Sequence, residues 1–190
     1  FEGPFNLKGE LLTSGKSKLF EKTSGEVSFS SKNGRIHKFG LLAKLFGILS
    51  PIDIFQGNLP DFEKEGMTYN SLNLKGKFEK DYLKVEALNL NAPGLRFFAS
   101  GKIYFLDKKL SLTALVSPFK TFDTVVSNVP LVGWVLTGKS KMFVGVPLRI
   151  TGKLNDPTII PLDPTSLGTH FLGIIQRTFK LPVRILTPGK

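Results

Sequence analysis

An alternation of apolar and polar residues with a period of two constrains this chain more than any other feature. From 142 to 154, Met142, Val144, Val146, Leu148, Ile150 and Leu154 share one side of an extended backbone, with Arg149, Thr151 and Lys153 on the other. Leu95, Phe97, Ala99, Ile103 and Phe105 alternate in the same way against Arg96, Ser100, Lys102 and Tyr104. Leu110, Leu112, Ala114 and Val116 repeat the pattern between Lys109, Ser111 and Thr113, as do Leu72, Leu74 and Phe78 opposite Asn73, Lys75 and Lys77. Segments of this kind are strands wetted on one face and apolar on the other. The links between them are short: Lys80-Asp81, Asn91-Ala92-Pro93-Gly94 and Asp107-Lys108. Links that tight join antiparallel neighbours, so 67–117 reads as a four-strand meander. A weaker set at the N-terminus, Phe5–Leu12, Lys18–Lys22 and Glu26–Ser30, extends the same theme.

Two segments depart toward helical spacing. Asn33 is placed to cap a helix over 35–49, stopped by Ser50-Pro51, with Phe39, Leu42, Phe46 and Leu49 among apolar residues that surround its axis. Asp163-Pro164 is placed to start a second over 164–180, with Leu167, Phe171, Ile174, Ile175 and Phe179 as its stripe and Arg177 and Lys180 at its polar edge. The apolar stretch 122–136 fits neither period. The expected fold is therefore mainly β, a strongly curved antiparallel meander sheet forming an apolar groove with two amphipathic helices, in one domain over 1–190.

Composition sharpens the question of what the apolar face is for. Phe is used 17 times against 3 Tyr and 1 Trp, a large apolar load with few polar handles. A sheet with one continuous apolar face needs a second layer, and two modest helices are little cover for so many strands. Either the sheet curls over its own face or part of that face meets an apolar ligand. The net charge of +11 favours an anionic partner: nucleic acid, phospholipid headgroups or lipopolysaccharide. The lysines are scattered singly, so nucleic acid is not expected.

Residues for catalysis are sparse. His37 and His170 stand alone without metal-ligand spacing, Glu63 and Glu65 have no partner base, and there is no Cys, no phosphate loop and no GxSxG. The chain reads as a non-enzyme without a metal or cofactor.

The stretch from Gly57 through Tyr69-Asn70-Ser71-Leu72-Asn73-Leu74-Lys75-Gly76 and on through Leu83-Lys84-Val85-Glu86-Ala87-Leu88-Asn89-Leu90-Asn91-Ala92-Pro93 resembles the C-terminal region of AsmA-like proteins. Phe98-Ala99-Ser100-Gly101-Lys102-Ile103-Tyr104-Phe105, the strand from Leu110 to Pro118 and the strand from Val146 to Pro157 fit the same pattern, as does the segment Leu41–Leu49 upstream. The resemblance spans roughly 36–182 and rests on alternation, glycines and turn spacing. It implies a module of the TamB and YhdP type, similar to the bridge-like lipid transfer proteins: a curved β-sheet whose groove conducts phospholipid between inner and outer membrane. The expected setting is the periplasm, in an inner-membrane-anchored envelope protein of which this chain is a C-terminal fragment. Its groove would be lined by Leu72, Leu74, Phe97, Ile103, Phe105, Leu112, Val144, Val146, Leu148 and Ile150, holding phospholipid acyl chains. Phe39, Phe46, Phe171, Arg177, Lys180 and Arg184 would meet an anionic membrane surface or an outer-membrane protein partner. The alternatives are a structural or assembly module for outer-membrane biogenesis, in which the same face is a dry core and the basic outside docks on a membrane or partner, and a soluble carrier of a hydrophobic ligand. For the helix over 164–180 the alternative to membrane contact is simple packing on the sheet edge.

Overall fold

A computed structural model describes residues 2–13, 23–37, 66–93, 95–118, 134–138, 141–163, 166–179 and 184–185. Among them the strands are β1 (Phe5–Thr13), β2 (Thr23–Ile36), β3 (Met67–Lys80), β4 (Tyr82–Ala92), β5 (Leu95–Tyr104), β6 (Lys109–Pro118), β7 (Trp134–Gly138), β8 (Lys141–Lys153), β9 (Asp156–Pro161) and β10 (Arg184–Ile185). One helix, α1 (Thr169–Phe179), is described. The main sheet runs β1-β2-β3-β4-β5-β6-β8-β9 with every neighbouring pair antiparallel. β7 and β10 extend it beside the first half of β8. The sheet does not close: among the described residues β1 pairs with β2 alone and β9 with β8 alone.

The alternation translates directly into cross-strand rows, because residues opposite one another share a face. One row reads Leu7, Phe29, Leu74, Leu88, Ala99, Ala114, Leu148 from β1 to β8. To one side the next row reads Phe5, Ser31, Leu72, Leu90, Phe97, Val116, Val146; to the other come Gly9, Val27, Gly76, Val85, Gly101, Leu112, Ile150 and then Leu11, Gly25, Phe78, Leu83, Ile103, Leu110. Keeping these rows apolar requires one correction in β4. A bulge between Val85 and Leu88 sets three residue steps of β4 against two of β5, so Leu83 and Val85 before it and Leu88 and Leu90 after it share a face. Gly101, opposite Val85, has φ 145, and a Cβ there would strike the Ser111 carbonyl. Only glycine permits that backbone beside the bulge.

Asn33 does not cap a helix. Strand β2 runs through Asn33 (φ 52) to Ile36, with Arg35 opposite Thr68 and Ile36 opposite Met67. Arg35 also exchanges both backbone hydrogen bonds with Glu2, at 2.8 and 2.9 Å. Strand β3 on one side and the isolated bridge to Glu2 on the other thus satisfy this backbone from outside, and tertiary pairing overrides the local helical spacing. Residues 38–49, with Phe39 and Phe46, lie outside the described residues, as do 18–22 and Lys180. The second helix begins at Thr169, not at 164. Ser166 donates to the Asp163 carbonyl in a single turn, and the Gly168 carbonyl accepts the first helical bond, from Leu172. Arg184, expected to continue the basic edge of that helix, belongs to a strand opposite Thr137.

Candidate functional site

The apolar face is continuous but not uniform. Phe97, Leu112, Leu148 and Ile150 are buried with Val85, Leu90, Leu95, Ala114 and Val116 in one cluster across β4, β5, β6 and β8. Leu72, Leu74, Ile103, Phe105 and Val146 belong to the same cluster but are only half-buried. The structure therefore brings these nine residues expected to line a groove together; the backbone of the tenth, Val144, pairs with Val135. Burial is least on β1, although Thr23 and Ser31 on β2 and Tyr69 on β3 are themselves buried. Leu148 is fully enclosed and Val27 and Phe29 on β2 are half-buried, whereas Leu7 is 61% and Phe5 63% exposed. Phe5 stacks on Phe29 with ring centroids 5.9 Å apart, and Phe78 on Phe105 at 5.7 Å.

This gradient defines the candidate site: the open part of the apolar face on β1, β2 and β3, bounded by Phe5, Leu7, Val27, Phe29, Leu72 and Leu74. Exposed contiguous apolar surface of this kind costs about 25 cal/mol per Å² and is stabilised by an apolar partner. The contributions of Phe5, Leu7, Val27 and Phe29 were weakly marked in the sequence, where Ser, Gly and Lys dominate the intervening positions. Their signal is the period-two spacing of Phe5, Leu7 and Leu11 and of Val27 and Phe29.

The opposite face is polar and basic toward β1 and apolar where α1 sits. Phe98 and Leu115 point away from the main cluster and meet Phe171 and Ile175 of the helix, with Ala87, Leu167 and Ile174 around them. Phe98 and Phe171 make an edge-on ring contact at 5.3 Å. Phe171, considered a membrane contact on sequence grounds, thus faces the sheet, as in the alternative of a packed helix. Arg177 is exposed, with its Nε donating back to the Gly173 carbonyl at 3.1 Å.

Beyond the helix the polar face carries Asn6, Lys8, Ser28, Ser30, Asn73, Lys75 and Asn89 around a shallow concavity of about 460 Å³. The Oδ1 of Asn89 is buried there without a hydrogen-bond partner. Further along, Lys77 Nζ lies 2.8 Å from Glu26 Oε1 and 4.0 Å from Glu86, and Lys84 lies 3.7 Å from Glu79. The Lys77 hydrogen bond holds the Glu26 carboxyl below the usual range, and Glu26 in turn raises Lys77. Tyr82 donates to Glu79 and lies beneath Lys102, whose ammonium is 4.4 Å from the ring centroid.

Among the described residues no group of His, Cys, Asp and Glu is arranged to hold a metal ion. Nor is any described helix long and apolar enough to cross a membrane. The chain matches no protein-family model, no curated protein and no solved structure.

Proposed function

We propose that this chain is a lipid-handling module, an AsmA-like segment whose apolar face takes up phospholipid acyl chains between inner and outer membrane in the periplasm. The observation that supports this reading is the gradient along one apolar face, closed at β8 and open at β1. Seven inter-strand spacings of about 4.8 Å give that face a width of roughly 34 Å. An acyl chain laid along one row, across strands β1–β3, would cover Leu7, Phe29 and Leu74, while its headgroup could stay at the sheet rim among the lysines of the polar face. No acid–base or nucleophilic constellation is needed for such a role; transfer of an apolar chain between apolar surfaces breaks no covalent bond.

A second reading, a structural module, is favoured by the dry cluster around Leu148 and Ile150, which resembles an ordinary core. One paired experiment separates the two. Glu at Leu148 would bury an unpaired carboxylate and cost several kcal/mol, about 3 or more, under either reading. Glu at Leu74 can hydrate if the face beside it is open, with a stability loss of about 1 kcal/mol or less. The lipid-handling reading expects Leu74→Glu to remain folded, by thermal unfolding, and to lose the lipid extracted from the purified wild-type protein. Wild-type protein without extractable lipid, or a Leu74→Glu variant with unchanged lipid content, would leave only the structural module.

A further inference from the structure

The lysines of the polar face differ in what surrounds them. Lys77 is held by Glu26 and Lys84 by Glu79. In contrast, no described residue lining the concavity of about 460 Å³ is acidic. Among the described residues, the side chains of Asn6, Lys8, Ser30, Asn73, Lys75 and Asn89 around it make no hydrogen bond or salt bridge with the protein. Asn89 stands there at a cost: its Oδ1 is buried without a hydrogen-bond partner, which an apolar side chain would avoid. Polar groups retained against stability are characteristic of binding positions.

Strand register sorts these groups into two rows. Lys8, Ser28, Lys75 and Ala87 stand opposite one another in the first, and Asn6, Ser30, Asn73 and Asn89 in the second. The rows are two residues apart along each strand, about 7 Å. The small Ser28 between two lysines leaves room above it for an anion. Ala87 ends the lysine row, because it packs against the residues that seat α1. Glu10 and Glu26 border that row on its other side, so an anion drawn to Lys8 and Lys75 is kept toward the amide row. Both rows lie on a face of the sheet, and further strands beyond β1 would leave them intact.

We propose that this concavity binds a phosphorylated sugar or polyol, with its phosphate on Lys8 and Lys75 and its hydroxyls on the carboxamides of Asn73 and Asn89. Lysine meets phosphate as a point charge. A carboxamide both donates and accepts, as a hydroxyl does, so the second row suits the uncharged part of such a ligand. The spacing between the rows is of the order of the reach from the phosphate of a hexose phosphate to its ring hydroxyls. The same chemistry is carried by a soluble sugar phosphate and by a polyol headgroup on a lipid. The site lies on the face opposite the one that carries the proposed function and does not depend on that reading.

The test is an amide-resolved NMR titration of the full chain with glucose 6-phosphate, methyl phosphate and glucose, with circular dichroism to verify the sheet of each variant. Glucose 6-phosphate is expected to saturate with a Kd of about 1 mM, moving the amides of 28–30, 73–75 and 89. Methyl phosphate has the same charge without hydroxyls and should bind about fivefold more weakly, and glucose about tenfold more weakly. Lys75→Gln should weaken glucose 6-phosphate about tenfold. Asn89→Leu should abolish the preference for glucose 6-phosphate over methyl phosphate without lowering Tm. Displacement of glucose 6-phosphate by phosphatidylglycerol vesicles would identify a lipid headgroup as the source, and its retention a soluble ester. Methyl phosphate binding as tightly as glucose 6-phosphate, an Asn89→Leu variant that keeps the preference, or no saturable shift up to about 20 mM overturns the proposal.

Discussion

Tyr82 and Glu79 show how a single exposed contact leaves a measurable trace without contributing much to stability. The two face each other across the turn at Asp81, and the phenol hydroxyl donates to the carboxylate. That bond, with the Lys84 charge behind it, holds the Glu79 carboxyl below its ordinary value of 4.5; the same bond, with partial burial and the Glu79 charge, pushes the Tyr82 phenol above 10.0. The Glu79 contribution is therefore present above the ordinary carboxylate value and fades as pH falls through the lowered one. The Tyr82 contribution is present below its ordinary value and fades as pH rises through the raised one. Removing the hydroxyl with Tyr82→Phe should move the Glu79 titration, followed by NMR of its side-chain carboxyl, up toward the ordinary range. An unmoved Glu79 midpoint would mean that the lysine alone sets it. The sequence places Glu79 and Tyr82 either side of a turn, but the pairing across that turn depends on strand register, which only hydrogen bonding between strands fixes.

At the scale of elements, α1 is held by one seat. Its buried residues Phe171, Leu172 and Ile175 have the spacing of a helical stripe, and the sheet answers with Phe98 and Leu115. Phe98→Ala should cost about 3–5 kcal/mol, mainly by opening a cavity under Phe171. Hydrogen exchange is expected to show lost protection over 169–179 with protection in β3–β6 retained. Equal loss in both would mean that helix and sheet unfold as one unit. The stripe of α1 was legible from spacing alone. Its seat was not, because Phe98 and Leu115 fall on the nominally wet side of their strands, between Phe97 and Ala99 and between Ala114 and Val116. Local alternation cannot announce that a strand is buried on both faces where a helix happens to land. The segment at 33–36 failed in the opposite way: its spacing suited a helix start, but Thr68, Met67 and Glu2 offered its backbone a ladder.

Over the whole molecule, charge and apolar surface are segregated to opposite faces of one sheet. With a net charge of +11, and Lys8, Lys75, Lys84 and Lys102 on the polar face, binding to anionic vesicles should exceed binding to zwitterionic ones. It should weaken between about 0.1 and 1 M salt, as the screening length falls from about 10 to about 3 Å. Binding that is equal for both vesicle types and insensitive to salt would place the interaction on the apolar face instead. The alternation and the short turns by themselves determined that this chain forms antiparallel strands and that Leu72, Leu74, Phe97, Ile103, Leu112, Val146, Leu148 and Ile150 share a face, because side-chain direction in a strand has a period of two whatever the partner. Only the tertiary structure decided how open that face is at each strand and where the helix docks. Exposure depends on which strands have neighbours on both sides, and Leu7 and Leu148, alike in sequence pattern, differ because β1 is an edge and β8 is flanked by β6 and β9.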